Sequence, residues 1–529
     1  MGLLSRLSFA DVGRAAIWLL VLPLVYSVVL VLYRAYNAFF GPLRSIPGPW
    51  LAKFTGLWEL GALWNGDFEQ QNIALHKQHG KVVRIGPNKY SIDDPDAVRI
   101  IYGHGTKFTK TDFYGTFRDP HVSNLFAELD VKEHSTQRRR IASLYSMTTL
   151  LSYESFIDGC TTILMDKFHK FAHENRPVEM VEWLQFYAFD VIGAITTSST
   201  FGLMTAECDS ASIIAAIHTS MTYGGLVGAY APTLHPWITG ISKLLGQPSP
   251  VEPVQAYIRR QIALRRQQFA YSQDEKAPTN DDDGSPTTKT TDFLTKLLRL
   301  EAPAGPNTPF DTFNATSGNI AAGSDTTAIT LSAVLYHLLR NPPALARLRA
   351  ELAAARAAGT ASDPVTYAEA QRCAYLQAVL KEALRMHPAV AQPMLRRVPV
   401  DDGAGRGRGV EVVPGTWLPA GAEVGVNPWV AHRNEEVWGR DAGVFRPERW
   451  LEERDDVTRA RMEGYSLAFG HGSRTCIGKH ISLLEISKVI PQLVMNFDFE
   501  LVEPEKEWET KTAWFCKQRY QCYIKARRA

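Results

Sequence analysis

Paired cysteine is missing from this sequence. Its six cysteines, Cys160, Cys208, Cys373, Cys476, Cys516 and Cys522, are scattered and form no CxxC pair. That excludes a disulfide framework and points to a reducing compartment. Charge of one sign is missing too. The formal net charge is +2, so nothing in the balance calls for nucleic acid. The local run Arg138-Arg139-Arg140 fits a solvated helix face or an anion contact better than a nucleic-acid patch. No internal repeat is visible, which argues against a solenoid. The glycine-rich run "DDGAGRGRG", Asp401 to Gly409, has GxGxG spacing, but no helical pattern follows it. It reads as a hairpin loop, not a phosphate cradle.

Long hydrophobic runs are absent, with one exception. "AAIWLLVLPLVYSVVLVLY", Ala15 to Tyr33, carries no charge and is flanked by Arg14 and Arg34. As a helix it would reach about 28 Å, close to a bilayer core. Pro23 need not exclude a span. A cleaved signal peptide fits less well, because the run is long and no small-x-small site follows. Arg34, Arg44 and Lys53 after the run, against Arg6 and Arg14 before it, place the body in the cytosol. The expected organisation is an N-terminal transmembrane helix within 1–40, a proline-rich hinge over 41–50 ("GPLRSIPGPW") and one body over 51–529. Pro47-Gly48-Pro49 cannot continue a helix.

What is present is ordinary globular composition, 45% hydrophobic and 21% charged, on a chain long enough for a large core. "KVVRIGPNKYSIDD" alternates and turns like two short strands. From about Asp96 to His337 the pattern is mostly helical. The polar, acidic stretch Ser272 to Thr291 reads as a surface loop, because helical patterning resumes directly after it. "RRVPV" and "VEVVPGTWLPAG" read as β pieces. The fold class is mainly α with a small β region, in one unit.

One cysteine stands apart. "FGHGSRTCIG", Phe469 to Gly478, sets Cys476 in a glycine-rich loop before the apolar-periodic "KHISLLEISKVIPQLVMNF". A helix N-terminus carries partial positive charge and unpaired N–H groups, so a thiolate is favoured there. Gly472 and Gly478 let the backbone pass close to something bulky and flat. Arg474 can pair with a carboxylate or phosphate. Three readings compete. One is a structural cysteine beside a tight turn. A second is zinc held with His471 and His480, at spacings that match no common zinc pattern. The third is axial ligation of haem iron by one thiolate.

The loop resembles the haem-binding signature of the cytochrome P450 monooxygenases. Phe469, Gly472, Arg474, Cys476 and Gly478 match every fixed position. Other segments follow in the family's order. "AAGSDTTAIT", Ala321 to Thr330, resembles the oxygen-activating helix. "LKEALRMHP" sets Glu382 and Arg385 three residues apart, and "FRPERW" places Arg449 where the family has the third member of a buried Glu-Arg-Arg network. Trp450 stands where Phe is commoner. "EHSTQRRRIAS" matches a His134–Arg138 haem-propionate pair. "LRRVP" supplies Arg396 as another propionate ligand, with Arg397 as the adjacent alternative. "YRAYNAFFGPLRSIPGPW" and "GTKFTKTDFYGTF" are similar to fungal microsomal members of the pisatin demethylase type.

The resemblance implies the following expectations. Haem b is held by the Cys476 thiolate, with propionates on His134, Arg138, Arg396 and Arg474. Thr326 helps hold dioxygen and Asp325 relays protons. Glu382, Arg385 and Arg449 are structural. The body is a monooxygenase of the cytosolic face of the endoplasmic reticulum, acting on a hydrophobic small molecule in fungal secondary metabolism. Electrons come from NADPH through a separate NADPH-cytochrome P450 reductase, docked near Arg139, Arg140 and Lys479, with cytochrome b5 as a further donor. A haem-thiolate isomerase or dehydratase needing no reductase, and a haem-binding protein without catalysis, are the alternatives. The stretches before Asp130 and from Phe201 to Trp237 are expected to line the pocket. Asn314-Ala315-Thr316 fits a glycosylation pattern but begins the oxygen-activating helix of a cytosolic body, so it is declined.

Overall fold

The computed structural model describes residues 21, 25, 28–119, 124–274, 291–301, 312–400 and 409–527. Most of the expected span Ala15–Tyr33 lies outside them. Among the described residues no helix is long and apolar enough to cross a membrane. The acidic loop before Thr291 and most of Asp401–Gly409 also lie outside.

The protein is mainly helical, with short strands within residues 82–110, 396–426 and 497–526 and one at Val178–Glu179. The helix Met180–Thr197 is apolar around nearly its whole circumference, and such a helix belongs in a core. It packs along a second buried helix, Asp325–Arg340. The preceding helix Thr312–Gly323 also approaches Met180–Thr197 closely, at Gly323, where an added Cβ would lie 2.8 Å from Ile192 Cδ1. The helix Lys479–Asn496 crosses the central helix Asp325–Arg340. Their contact includes a hydrogen bond between Thr327 Oγ1 and Ser482 Oγ at 3.0 Å.

The largest sheet has five short strands in the order Val82–Gly86, Lys89–Ile92, Glu423–Val426, Arg396–Arg397 and Thr109–Lys110. The first two form the hairpin anticipated from "KVVRIGPNKYSIDD". Only the pairing of Lys89–Ile92 with Glu423–Val426 is parallel. Lys110 stands opposite Arg396 in the antiparallel register. A C-terminal hairpin, Glu509–Thr512 with Cys516–Arg519, folds back onto the central helix, where Gln518 Nε2 donates to the Ile329 carbonyl.

The proline-rich stretch is docked on the body. Leu43 and Ile46 are buried, and Arg84 donates to the Leu43 carbonyl at 2.5 Å. Local starts follow capping chemistry. Asp130 accepts from the Glu133 N–H at 2.7 Å and begins the helix Val131–Ile141. A cap of this kind contributes about 1 kcal/mol, and it sets the direction in which His134 and Arg138 leave the helix.

Candidate functional site

Cys476 lies between the one-turn helix Gly472–Arg474 and the helix Lys479–Asn496. Its own N–H donates to the Phe469 carbonyl at 2.8 Å, closing the loop. Burial pushes the thiol up, while the N–H groups of Gly478 and Lys479 and the charge of Arg138 pull the other way. Burial is the larger effect and leaves the thiol raised, while the donors and the Arg138 charge around the sulfur would favour a thiolate once a metal ion shares it. The side chain is surface-accessible although protein surrounds it, as for the wall of an internal cleft. Gly472 has a different role from the expected one. It takes φ +66°, and a Cβ there would lie 1.8 Å from the Tyr102 carbonyl oxygen. What passes close is another stretch of backbone. At Gly478 a Cβ would meet nothing within 4 Å, so this is the glycine that leaves an open face.

Opposite stands an interrupted helix. Thr312–Gly323 and Asp325–Arg340 are separated at Ser324, where ψ is −70°. Ser324 Oγ donates to the Ile320 carbonyl at 3.0 Å, Thr326 Oγ1 to Ala322 at 2.8 Å, and Thr330 Oγ1 to Thr326 at 2.9 Å. Hydroxyls that bond back one turn bend a helix in this way. Ala322 is exposed in the middle of the molecule, and the Thr326 hydroxyl, with its proton committed to Ala322, keeps lone pairs free. Asp325 is 1% exposed, and burial raises its carboxyl to about 7.

A cluster of basic side chains lies beside the cysteine, and burial keeps its histidine neutral. His134 is buried and is held down to about 3, first by burial and then by Arg474, Lys110, Arg138 and Arg396. Arg474 is pushed down to about 10, by burial and then by Arg396. Arg396 is buried; it donates to the Leu395 carbonyl and lies 3.3 Å from the Tyr114 hydroxyl. Arg397, its neighbour, points away and is taken by Asp112 at 2.7 Å and Glu423 at 3.7 Å. Alternation along a strand forces that division, and Arg396 is the member that joins the cluster. Lys110 was not foreseen. It arrives by the strand register opposite Arg396, and burial drives its ammonium well down. Among the described residues Lys110, Arg138, Arg396 and Arg474 make no ion pair with a side-chain carboxylate, whereas Arg397 makes two. Mutually repelling cations held this close favour a ligand that brings negative charge. The chemistry of these donors fits a dicarboxylate such as haem, with the thiol beside it.

Glu382, Arg385 and Arg449 form one fully buried network. Arg385 pairs with Glu382 at 2.7 Å and Arg449 Nε lies 2.9 Å from Glu382 Oε1. Burial alone would raise the Glu382 carboxyl, but Arg385 and then Arg449 more than offset it and hold it below the ordinary range. Trp450 is more than an aromatic replacement, since its Nε1 donates to Glu382 Oε2 at 2.9 Å, a bond Phe cannot make. The network reaches the cysteine loop through His432. That ring donates from Nδ1 to the Arg385 carbonyl at 2.9 Å and accepts at Nε2 from the Leu467 N–H at 2.8 Å.

Phe113, Phe117, Phe126 and Trp514 form a wall of rings, with Phe117 and Trp514 centroids 5.2 Å apart. It continues onto Ile329 of the central helix and Val390. The helix Ile213–Tyr230 presses on this wall at Gly224 and Gly228, where a Cβ would lie 2.7 Å from Phe117 and Phe113. The two stretches named from sequence thus meet. Trp514 and Val390, from later in the chain, were missed.

The family model for Cytochrome P450 matches residues 47–525. Two proteins of Fusarium vanettenii named pisatin demethylase are each 40% identical, over the whole of this chain and 97% and 99% of their own lengths. The cytochrome P450 monooxygenase cicH of Emericella nidulans is 34% identical over 92% of this chain and 94% of its own. The monooxygenase gsfF of Penicillium aethiopicum is 33% identical over the same shares. Similarity this extensive covers the cysteine loop, the interrupted helix and the buried network together, and the chain belongs to the cytochrome P450 family, as a P450 monooxygenase.

Proposed function

We propose that this enzyme binds haem through the Cys476 thiolate and inserts one oxygen atom of dioxygen into a hydrophobic, ring-bearing small molecule of fungal secondary metabolism. The second oxygen atom leaves as water, with two electrons from NADPH and two protons. The observation that carries this reading is the gathering of His134, Lys110, Arg138, Arg396 and Arg474 beside the accessible thiol of Cys476, the lysine and the three arginines making no ion pair with a carboxylate among the described residues. His134, Arg138, Arg396 and Arg474 hold the propionates, and Lys110 joins them. Bound haem supplies the activation of dioxygen. The chain supplies the rest: Thr326 offers acceptor lone pairs on the pocket side, Asp325 holds and releases a proton, and the aromatic wall excludes water and stacks a flat substrate. Because two relatives are named pisatin demethylase, an aryl methyl ether is the first substrate to try. Oxygen insertion at the methyl carbon gives a hemiacetal that collapses to a phenol and formaldehyde.

The test uses the haem-loaded full chain with NADPH and a P450 reductase, and para-nitroanisole as probe. The expected product is para-nitrophenol, dependent on NADPH. Thr326→Ala should keep NADPH consumption but divert electrons to peroxide and cut product by about tenfold or more. Product formed without NADPH or reductase would overturn the oxygenase reading in favour of an isomerase-like activity.

We further propose that the body sits on the cytosolic face of the endoplasmic reticulum. The helix His235–Leu244 carries exposed Trp237, Ile241 and Leu244, and residues 28–40 carry exposed Phe39 and Phe40, which supports contact with lipid. The reductase meets the basic residues Arg139, Arg140 and Lys479, at the end of the helix Val131–Ile141 and the start of Lys479–Asn496. The chain should pellet with phospholipid vesicles, and charge reversal at Arg139 and Lys479 should slow haem reduction with haem content unchanged. Unchanged reduction rates would remove the docking assignment.

A further inference from the structure

Gln392 lies in the connection between the helix Ala374–Met386 and the strand Arg396–Arg397, where Val390 makes a β-bridge to Phe515. Side chains alternate along an extended stretch. Val390 joins the aromatic wall, and Ala391 turns to a separate cluster with Trp429 and Cys516. Gln392 returns to the side of Val390, and its amide meets two further elements there. Nε2 donates to the Ala513 carbonyl at 2.5 Å, next to Trp514 of the wall. A Cβ on Gly225 of the helix Ile213–Tyr230 would lie 3.4 Å from the same nitrogen.

That bond fixes the amide. A carbonyl oxygen only accepts, so the atom facing Ala513 is the amide nitrogen and Oε1 is turned the other way. Oε1 accepts from no side chain or N–H among the described residues. Nor is it sealed in protein, as the partnerless Gln518 Oε1 is. The residue is 1% exposed, so the space onto which Oε1 opens is internal, beside the wall that holds Phe113, Phe117 and Trp514. At the same wall, Thr116 has its hydroxyl proton committed to the Phe113 and Gly224 carbonyls, at 2.7 and 2.9 Å. A fixed acceptor in an otherwise apolar pocket sets orientation and specificity.

We propose that Gln392 is a specificity-determining residue, whose Oε1 accepts a hydrogen bond from a hydroxyl group on the substrate. The inference rests on the oxygenase reading above and narrows its substrate class to aryl ethers that also carry a hydroxyl. The hydroxyl docks on Gln392 while the ring stacks on the aromatic wall. The Ala513 bond holds the amide in place before substrate arrives, so little ordering accompanies binding. An analogue without the hydroxyl loses more than one bond, because it strands an acceptor already taken out of water. A site that hydrogen-bonds a substrate hydroxyl therefore rejects the analogue lacking it more strongly than an apolar pocket rejects a missing methylene. Gln392 orients the substrate and makes or breaks no covalent bond. A purely structural glutamine would pair both ends of its amide.

The haem-loaded full chain is offered matched probes: meta- and para-methoxyphenol, each against the methylanisole in which a methyl group replaces the hydroxyl, and a methoxynaphthol against its methyl counterpart. Binding is read by equilibrium dialysis and turnover by NADPH-driven release of formaldehyde. Wild type should bind the hydroxylated member of at least one pair about tenfold or more tightly. Gln392→Met keeps the length and removes the acceptor. It should bring that ratio to within about twofold of one, through a higher KM with kcat little changed. Gln392→Glu keeps an acceptor oxygen at the same reach and should keep the preference. Absence of any preference in wild type overturns the proposal, and so does an undiminished preference in Gln392→Met. Should Gln392→Met fail to load haem, Gln392→Glu decides in its place, because loss of the preference there at unchanged haem content also overturns it. If the oxygenase reading itself is wrong, wild type shows the binding preference but releases no NADPH-dependent formaldehyde, so the two failures are distinguishable.

Discussion

Reduced protein treated with carbon monoxide should show a strongly red-shifted Soret band, and Cys476→Ser should lack it. The variant changes one atom in a loop whose backbone geometry is set elsewhere, by the Phe469 carbonyl and by Gly472 against Tyr102. Folding should therefore survive, and haem should still enter on the cationic cluster. What is lost is the sulfur that the Gly478 and Lys479 N–H groups surround. A serine oxygen is a poorer electron donor to iron than a thiolate, and the thiolate is what favours O–O cleavage in this family. NADPH-dependent turnover should disappear with the band. A haem-loaded Cys476→Ser protein that keeps the red-shifted band would show that another residue is the ligand. The mechanism proposed above would then fall.

Glu382→Gln should be the most damaging change far from the pocket. It leaves the Arg385 and Arg449 guanidiniums, at 0% and 1% exposure, without their shared anion. Removing one partner of a buried ion pair costs about 3–5 kcal/mol, against a total stability of about 5–15 kcal/mol for a typical domain. Recovery of folded, haem-loaded protein should collapse. The damage should also reach the ligand loop through Arg385, His432 and Leu467, so any surviving protein should have a weakened thiolate band. Arg397→Gln is the control, because its ion pairs are partly exposed and worth about 1 kcal/mol or less. The pH dependence follows from the sign of the shift. Glu382 is held below the ordinary carboxylate range in the folded protein. Its contribution is therefore present above that range and is lost as pH falls through the lowered folded value. An unfolding midpoint in Glu382→Gln within about 2 °C of wild type would show that the network is not structural.

Much of the site was legible because its parts lie within one loop or one turn of helix. Phe469 to Gly478 is a single loop, so the spacing of Arg474 and Cys476 carries their geometry almost directly. Glu382 and Arg385 are one helical turn apart, and helical geometry makes such residues neighbours. Asp325 and Thr326 were legible as adjacent members of one motif, whereas the break in the helix at Ser324 emerges only in the structure. The strands Val82–Gly86 and Lys89–Ile92 were visible because a tight turn joins them. Legibility fails where two choices are equivalent along the chain. Arg396 and Arg397 are adjacent and chemically identical, and only the face of the strand they occupy separates them.

The sequence by itself determined the thiol in its glycine-rich loop, the mainly helical body, and the residues of the acid–alcohol pair and the buried network. Short covalent paths constrain the loop thiol, the acid–alcohol pair and Glu382 with Arg385, whereas Arg449, 67 residues from Glu382, was legible only through its resemblance to the family motif. Tertiary structure alone decided that Lys110 joins the cation cluster, because a strand register puts it opposite Arg396. It alone made Tyr102 the neighbour that demands glycine at 472. It alone brought Gln185, His218 and Lys517 to one oxygen of Asp325, across separations of 140, 107 and 192 residues. No local spacing encodes such a meeting. It arises when three buried surfaces pack against one helix, and the polar groups stranded among them must find each other.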